Sequence, residues 1–272
     1  MHFVGICFMR IKHLFELRGI LPDSQKRIIE IVGLAILITI WSIATKFVPN
    51  TLLPSPLSVL FAFKELHYDD ALILNAIYSI KLNVLGYIEA VIISIPLGFA
   101  IGLFPLFNSM FRKYLDALRF VPLTAVTGLF IAWFGIEMNM KVQFLSFGII
   151  VYLLPVVVQR VFETNDIYIQ TAYTLGASRW QIIRSVFIPD VLSKISDDIR
   201  VLVAISWTYI IVAELVNKSD GIGSLAFTAA RQSRIDKVFA ILVVIILIGF
   251  IQDKLFMYLD KKLFTYKHEG GK

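Results

Sequence analysis

The 272 residues are 58% hydrophobic and only 17% charged, with a mean hydropathy of +0.78, where a soluble domain carries about 25% charged residues. That balance excludes an ordinary soluble enzyme, while 22 Phe, 10 Tyr and 4 Trp against 15 Gly and 9 Pro exclude disorder, collagen and coiled coil. One cysteine, Cys7, and four histidines far apart in sequence (His2, His13, His67 and His268) leave no disulfide scaffold or metal-ligand pair, and anionic lipid headgroups account for a net charge of +6 without a nucleic-acid partner.

The chain opens on an apolar run, residues 3–8, that is too short for a signal peptide and is followed, not preceded, by its basic residues Arg10 and Lys12. Residues 9–17 read as an amphipathic segment on the inner leaflet with Ile11, Leu14 and Phe15 on one face, and translation starts at Met1 or at Met9. Residues 1–27 are thus expected to form a cytoplasmic N-terminal segment.

A helix that crosses about 30 Å of hydrocarbon needs about 20 mostly apolar residues, because lipid cannot hydrogen-bond an exposed backbone. Six stretches qualify. The first covers residues 28–47, with Glu30 at its lip and Trp41 as an interface anchor; the second covers 83–107, with the single charge Glu89 and a GxxxG pair, Gly98 and Gly102, that marks close packing. Residues 121–136 are uncharged but number only 16, so the third helix is expected to begin near Tyr114, to carry Arg119, and to kink at Pro122. The fourth covers 142–159 and holds Pro155, the fifth 196–216 and the sixth 237–259. Residues 28–259 form the membrane domain and 260–272 a basic tail. With both termini placed inside, Lys and Arg fall 16 to 7 in favour of the inner connections, Lys81, Arg119 and Arg200 being assigned to neither. Both termini are therefore expected in the cytoplasm.

The connection between the fourth and fifth spans, residues 161–195, is long for a compact bundle. Its punctuation predicts a helix capped by Asp166, a turn at Gly176 that needs positive φ, and a second helix opened by a Ser178–Gln181 capping box and closed by Pro189. In that second helix Trp180, Ile183 and Phe187 share a face. Such a hairpin suits a groove of another protein; lying along the headgroups is the alternative.

Residues 170–189, QTAYTLGASRWQIIRSVFIP, resemble the EAA signature of permease subunits of bacterial ABC importers, in which EAA, three residues, Gly, nine residues, Ile, one residue and Leu-Pro recur. Gln170, Thr171 and Ala172 stand at the EAA positions, Gly176 at the glycine, Val186 at the isoleucine, and Ile188 and Pro189 at the Leu-Pro. The spacing is kept; Gln170 replaces the acid and removes a charged contact. LPSPLSVL (53–60), LRFVPLTAVTGLFIAWFGI (118–136) and WTYIIVAEL followed by GIG (207–215, 221–223) resemble the branch that imports nitrate, sulfonates, taurine or bicarbonate, which also includes permeases for vitamin precursors.

The resemblance implies an all-α membrane protein, a six-transmembrane-helix permease of the type I, MetI-like kind with a cytoplasmic coupling helix. It implies two permease copies, or a pair with a related permease. Two cytoplasmic ABC ATPase subunits carrying ATP and Mg, an extracytoplasmic substrate-binding protein and transport by alternating access across the inner membrane are implied as well. No GxxxxGK[ST] motif occurs in the sequence, so hydrolysis is assigned to a separate chain, and no catalytic residue, metal or cofactor to this one. The coupling helix would comprise Gln170, Thr171, Ala172, Leu175, Gly176, Ala177, Ser178 and Arg179, with small residues at 171, 172, 176 and 177 allowing close approach.

Ionisable groups inside a membrane default to function. Glu214, beside Trp207 and Tyr209, is a candidate for the substrate pathway or for fixing an outer turn at Gly221 and Gly223; Glu89 is a candidate for the pathway or for a helix interface. Arg119 and Arg200 can attract an anion or snorkel to headgroups, and Trp133 and Phe134 read as an anchor and gate packing. A secondary transporter or channel would show inverted repeats and matched broken helices, and no three-helix repeat is visible. A membrane enzyme needs clustered acids or histidines, whereas the adjacent Asp197 and Asp198 point to different faces of a helix.

Overall fold

The computed structural model describes residues 19, 21–217 and 220–269, so the amphipathic segment expected at 9–17 and the end of the basic tail lie outside the described residues. The described residues are helical, without strands. The chain divides into two units, Met1–Phe61 and Ala62–Lys272.

In the first unit, α1 (Asp23–Ala44) follows Pro22, five residues before the expected start. Its apolar side chains are exposed all round, Ile31 and Leu37 by about two thirds, which is the pattern of a helix whose solvent is lipid. From the last turn of α1 the Trp41 indole donates to the Pro54 carbonyl at 3.0 Å and fixes the turn that leads to α2 (Pro56–Tyr68). The side chain of Ser55 caps α2 by accepting from the Ser58 amide, and Pro56 occupies the position where a missing N–H costs nothing.

The second unit is organised on α3 (Leu72–Leu103) and α6 (Met138–Phe162). They run parallel: a Cβ added at Gly86 would press on Leu145, at Gly98 on Val157 and at Gly102 on Val161, a constant offset along both chains. Ala90 and Ser94, both fully buried, complete a ridge of small residues at every fourth position, so the expected GxxxG is the end of a five-residue seam that lets the backbones approach. Buried polar groups pin this pair to α9 (Ile188–Asn217): Asn83 donates to Ser206 at 2.9 Å, and the Tyr87 hydroxyl to the Ile199 carbonyl at 2.7 Å.

Two expectations fail at prolines. The third span is no kinked helix but two helices, α4 (Pro105–Leu118) and α5 (Leu123–Phe134), which meet at 106°. Pro122 caps α5 with extended backbone, so the ring starts a helix instead of sitting inside one. Nor does Pro189 close the helix after Ser178. α7 (Asp166–Thr174) leads into α8 (Arg179–Ile182), then a π-helical turn, Ile183–Phe187, and then α9 without a break. The wider turn ahead of Pro189 accommodates a residue that lacks an N–H and whose ring would clash with a carbonyl one turn back. Past α9 come α10 (Ile222–Arg231), unforeseen from sequence, α11 (Ile235–Leu263) and the short α12 (Thr265–Glu269). Among the described residues five helices are long and apolar enough to cross a membrane, or six if the α4–α5 pair counts as one span.

Candidate functional site: a capped hairpin and a latched turn

The α7–α8 hairpin is built by local chemistry. The Asn165 side chain, not Asp166, caps α7 by accepting from the Ile167 amide at 2.9 Å. Gly176 ends the hairpin's first arm at φ +78 with nothing within 4 Å of an added Cβ. The Ser178–Gln181 box is reciprocal: Gln181 Oε1 accepts from the Ser178 amide at 2.7 Å and Ser178 Oγ from the Gln181 amide at 3.4 Å. The hydroxyl of Thr171 donates back to the Ile167 carbonyl at 2.7 Å, so that side chain is spent within α7.

Gln170, Thr171, Leu175, Gly176, Ser178 and Arg179 are exposed, while Ala172 and Ala177 are half-buried. Leu175 is 82% and Trp180 67% exposed, alongside Ile167, Tyr168 and Tyr173. Ile182 is the side chain that seats α8 in the bundle, at 3% exposed; the face drawn through Trp180 from spacing points outward at Trp180. An exposed apolar surface of this kind marks a contact with another protein or with the membrane surface.

Ion pairs join the two spans that flank the hairpin, α6 and α9, at its base. Arg160 forks onto Asp198 at 2.7 and 2.8 Å and also reaches Glu163, and Lys194 bridges Asp190 and the Glu163 carbonyl. Hydrogen bonds from Arg160 and then Gln159 hold the Glu163 carboxyl below the usual glutamate range. From α12, Lys267 pairs with Asp197 and Asp260 and the Tyr266 hydroxyl donates to the Pro189 carbonyl at 2.7 Å. Burial works against the Lys267 ammonium, but Asp197 and Asp260 outweigh it and hold its pKa above the usual lysine value.

At the other end of α9, about 40 Å along its axis, Glu214 is fully buried. Its Oε1 accepts from the Ser79 hydroxyl and its Oε2 from the Gly223 amide at 2.6 Å. Ser79 Oγ in turn accepts from the Ile222 amide at 2.9 Å, and Asn75 Oδ1 from the Gly221 amide at 2.7 Å. Three successive N–H groups at the start of α10 are thereby capped by side chains of α3 and α9, with the carboxylate at the positive end of the helix. Gly221, at φ +107, leaves room for the carboxyl group, which an added Cβ would strike. In this arrangement Glu214 faces the turn of Gly221 and Gly223. Lys141, also fully buried, donates to the Tyr78 hydroxyl at 3.4 Å and lies within electrostatic reach of Glu214.

Trp207 is buried and donates from its indole to Gln252 Oε1 at 2.7 Å, joining α9 to α11. Glu89 is half-buried and accepts from Gln143 of α6 at 3.0 Å. Arg200 pairs with Asp253 and Arg119 with Asp116, both partly exposed. Trp133 is exposed and Phe134 stacks on Phe130. Among the described residues no group of three His, Cys, Asp or Glu could hold a metal. Asn75, Ser79 and Lys141 were not singled out in sequence; the four-residue spacing of Asn75 and Ser79 ahead of a buried stripe was the available signal.

Residues 90–265 match the family described as binding-protein-dependent transport system inner membrane component. The putative aliphatic sulfonates transport permease protein SsuC of Bacillus subtilis is 30% identical, the match covering 86% of each chain. The taurine transport system permease protein TauC of Escherichia coli is 28% identical over 94% of this chain and 96% of that one. Among solved structures, a chain of the inward-facing MetNI methionine ABC transporter superposes with a TM-score of 0.58 at 14% identity, covering 72% of this chain and 95% of that one. A chain of an amino acid ABC transporter gives 0.54 at 17%, covering 75% and 97%. At these identities the structures establish a shared fold.

Proposed function

The chain belongs to the family of binding-protein-dependent transport system inner membrane components, and on that premise we propose that it is the permease of an ATP-driven importer of small solutes of the sulfonate or taurine kind. Its relatives are permease subunits, not enzymes. In this reading two copies form the pathway, an extracytoplasmic binding protein delivers the solute, and ATP with Mg is bound and hydrolysed on separate cytoplasmic subunits. Both termini and the α7–α8 hairpin face those subunits, in keeping with the excess of Lys and Arg in that set of connections.

The observation that carries the proposal is the hairpin itself. Its caps and the Gly176 turn make it rigid, its apolar side chains are exposed, and its second arm continues into α9. A surface that costs free energy to leave in water, mounted on a membrane helix, is suited to transmit the movement of a docked partner. At the far end of α9 the Glu214 latch holds the turn before α10, so the same helix joins docking surface and outer turn. Solute access alternates as that helix moves, with no covalent chemistry in this chain.

The test is uptake of radiolabelled taurine and of an alkanesulfonate by the chain reconstituted with its ATPase and binding protein. Uptake is expected to stop without ATP and to survive collapse of proton and sodium gradients. Uptake that follows the gradient alone would refute the proposal.

A further inference from the structure

Glu89 lies near the middle of α3, seventeen residues past Leu72 and fourteen short of Leu103, or about 20 Å or more from either end. That is too far for its side chain to reach headgroups, and a carboxylate facing hydrocarbon is costly. It stands in the wall of a groove of about 570 Å³ between α3 and α6, whose other walls include Ile88, Ile92, Met138 and Val142. No lysine or arginine is among the groove's lining residues. Of the lining residues, Glu89, Gln143 and Asn139 have side chains with hydrogen-bonding N or O atoms.

Their chemistry is directional. Gln143 Nε2 donates to one oxygen of Glu89 at 3.0 Å, which turns the carbonyl oxygen of the same amide and the second carboxylate oxygen into acceptors for something else. A negative charge and two acceptors suit an ammonium group, which has three N–H donors and no acceptor, and repel a bare anion. Four residues before Gln143, about 6 Å along α6, the exposed Asn139 offers amide N–H groups to the other end of a short solute.

We propose that Glu89 and Gln143 form a subsite on the solute pathway that takes the amino nitrogen of an amine-bearing solute, an aminosulfonate zwitterion in preference to an amine-free sulfonate. This rests on the permease reading above and narrows its substrate class. Glu89 is then a specificity residue, and the groove is lined by water when empty, not by lipid or by a second copy of the chain.

The subsite can be probed without knowing the transported solute. With the only native cysteine removed (Cys7→Ser), Ile92→Cys puts a thiol on the groove wall for two membrane-impermeant methanethiosulfonates of similar size, one cationic and one anionic. After each rate is divided by that reagent's rate with a free thiol in solution, the cationic reagent is expected to react at least about tenfold faster, as charged clefts concentrate counter-ions. Glu89→Gln is expected to abolish the preference. No reaction with either reagent places the groove against lipid or a second copy and overturns the proposal, as does a preference that survives in E89Q. In the reconstituted complex, E89Q is expected to lower uptake of taurine at least about tenfold, the scale of one lost charge-assisted hydrogen bond, and to raise uptake of ethanesulfonate, whose anion no longer meets a negative charge. Equal losses overturn the assignment to the amine. A wild-type complex that moves neither compound refutes the sulfonate reading, and the thiol rates then decide the subsite by themselves.

Discussion

Replacing Gly221 by alanine puts two separable penalties on the turn before α10. The backbone there, at φ 107 and ψ 161, lies in a region nearly restricted to glycine, worth about 1–3 kcal/mol of strain for any other residue. The new methyl also falls on the Glu214 carboxyl group, and overpacking a filled site costs about 1–3 kcal/mol more. Together they amount to roughly 2–6 kcal/mol against the latched state, so even the lower bound implies about a 30-fold rise in opening. Gly176→Ala is the control: its φ of +78 is unfavourable, but nothing lies within 4 Å of the added Cβ, and the cost is conformational only, about 1–2 kcal/mol. Hydrogen exchange of the Ile222 and Gly223 amides, measured on protein whose far-ultraviolet dichroism matches wild type, reads the opening directly. Exchange in Gly221→Ala is expected to accelerate at least about 30-fold, and by more than the hairpin amides accelerate in Gly176→Ala. Wild-type protection of those two amides in Gly221→Ala would refute the claim that Glu214 and Gly221 together hold the turn.

Further outcomes are expected elsewhere in the chain. Gly176→Asp adds a charge at the exposed tip of the hairpin and should leave the spans folded by dichroism while separating ATP hydrolysis from uptake in the reconstituted complex; full solute-stimulated uptake would count against docking at this turn. Gly98→Leu drives a side chain into Val157 across the α3–α6 seam and should lower the apparent Tm in detergent by several degrees, whereas Gly33→Leu, in open space on α1, should not. Because its hydrogen bonds with Arg160 and Gln159 depress the folded-state pKa of Glu163, its contribution is present above the unfolded value of about 4.3 and is lost as pH falls through the lower folded one. Intrinsic-rate-corrected amide protection of residues 164–167 should therefore decline at pH values below about 4 in wild type and show no such step in Glu163→Gln.

What sequence could disclose here depended on the range of the physics. Span composition is local, and so are the Ser178–Gln181 box and the Gly176 turn, because their partners lie within three residues or in the backbone itself; these are read directly. The prolines were misplaced because a ring has different outcomes in different helical contexts. Pro122 caps α5, and a π turn ahead of Pro189 keeps the helix going. Starting the second span at Asn83 cut away Asn75 and Ser79, and with them two of the three side chains of the latch; Lys81 and Asn83 look like a lip in one dimension, yet α3 extends eleven residues before Asn83. The bonds from Glu214 and Gly221 to α3 span 135 and 146 positions, a separation that no periodicity encodes.

From Arg179 to Val216 the helical run is unbroken for 38 residues, about 57 Å. It is fastened most densely near its midpoint, by Arg160 at Asp198, Tyr87 at the Ile199 carbonyl and Asp253 at Arg200. A beam held at its centre behaves as a seesaw: a tilt of about 10° carries each extremity about 5 Å, in opposite senses. On the permease reading proposed above, Trp180 and Glu214 ride on opposite arms of one balance, and a docked partner that depresses the first strains the carboxylate's grip on α10.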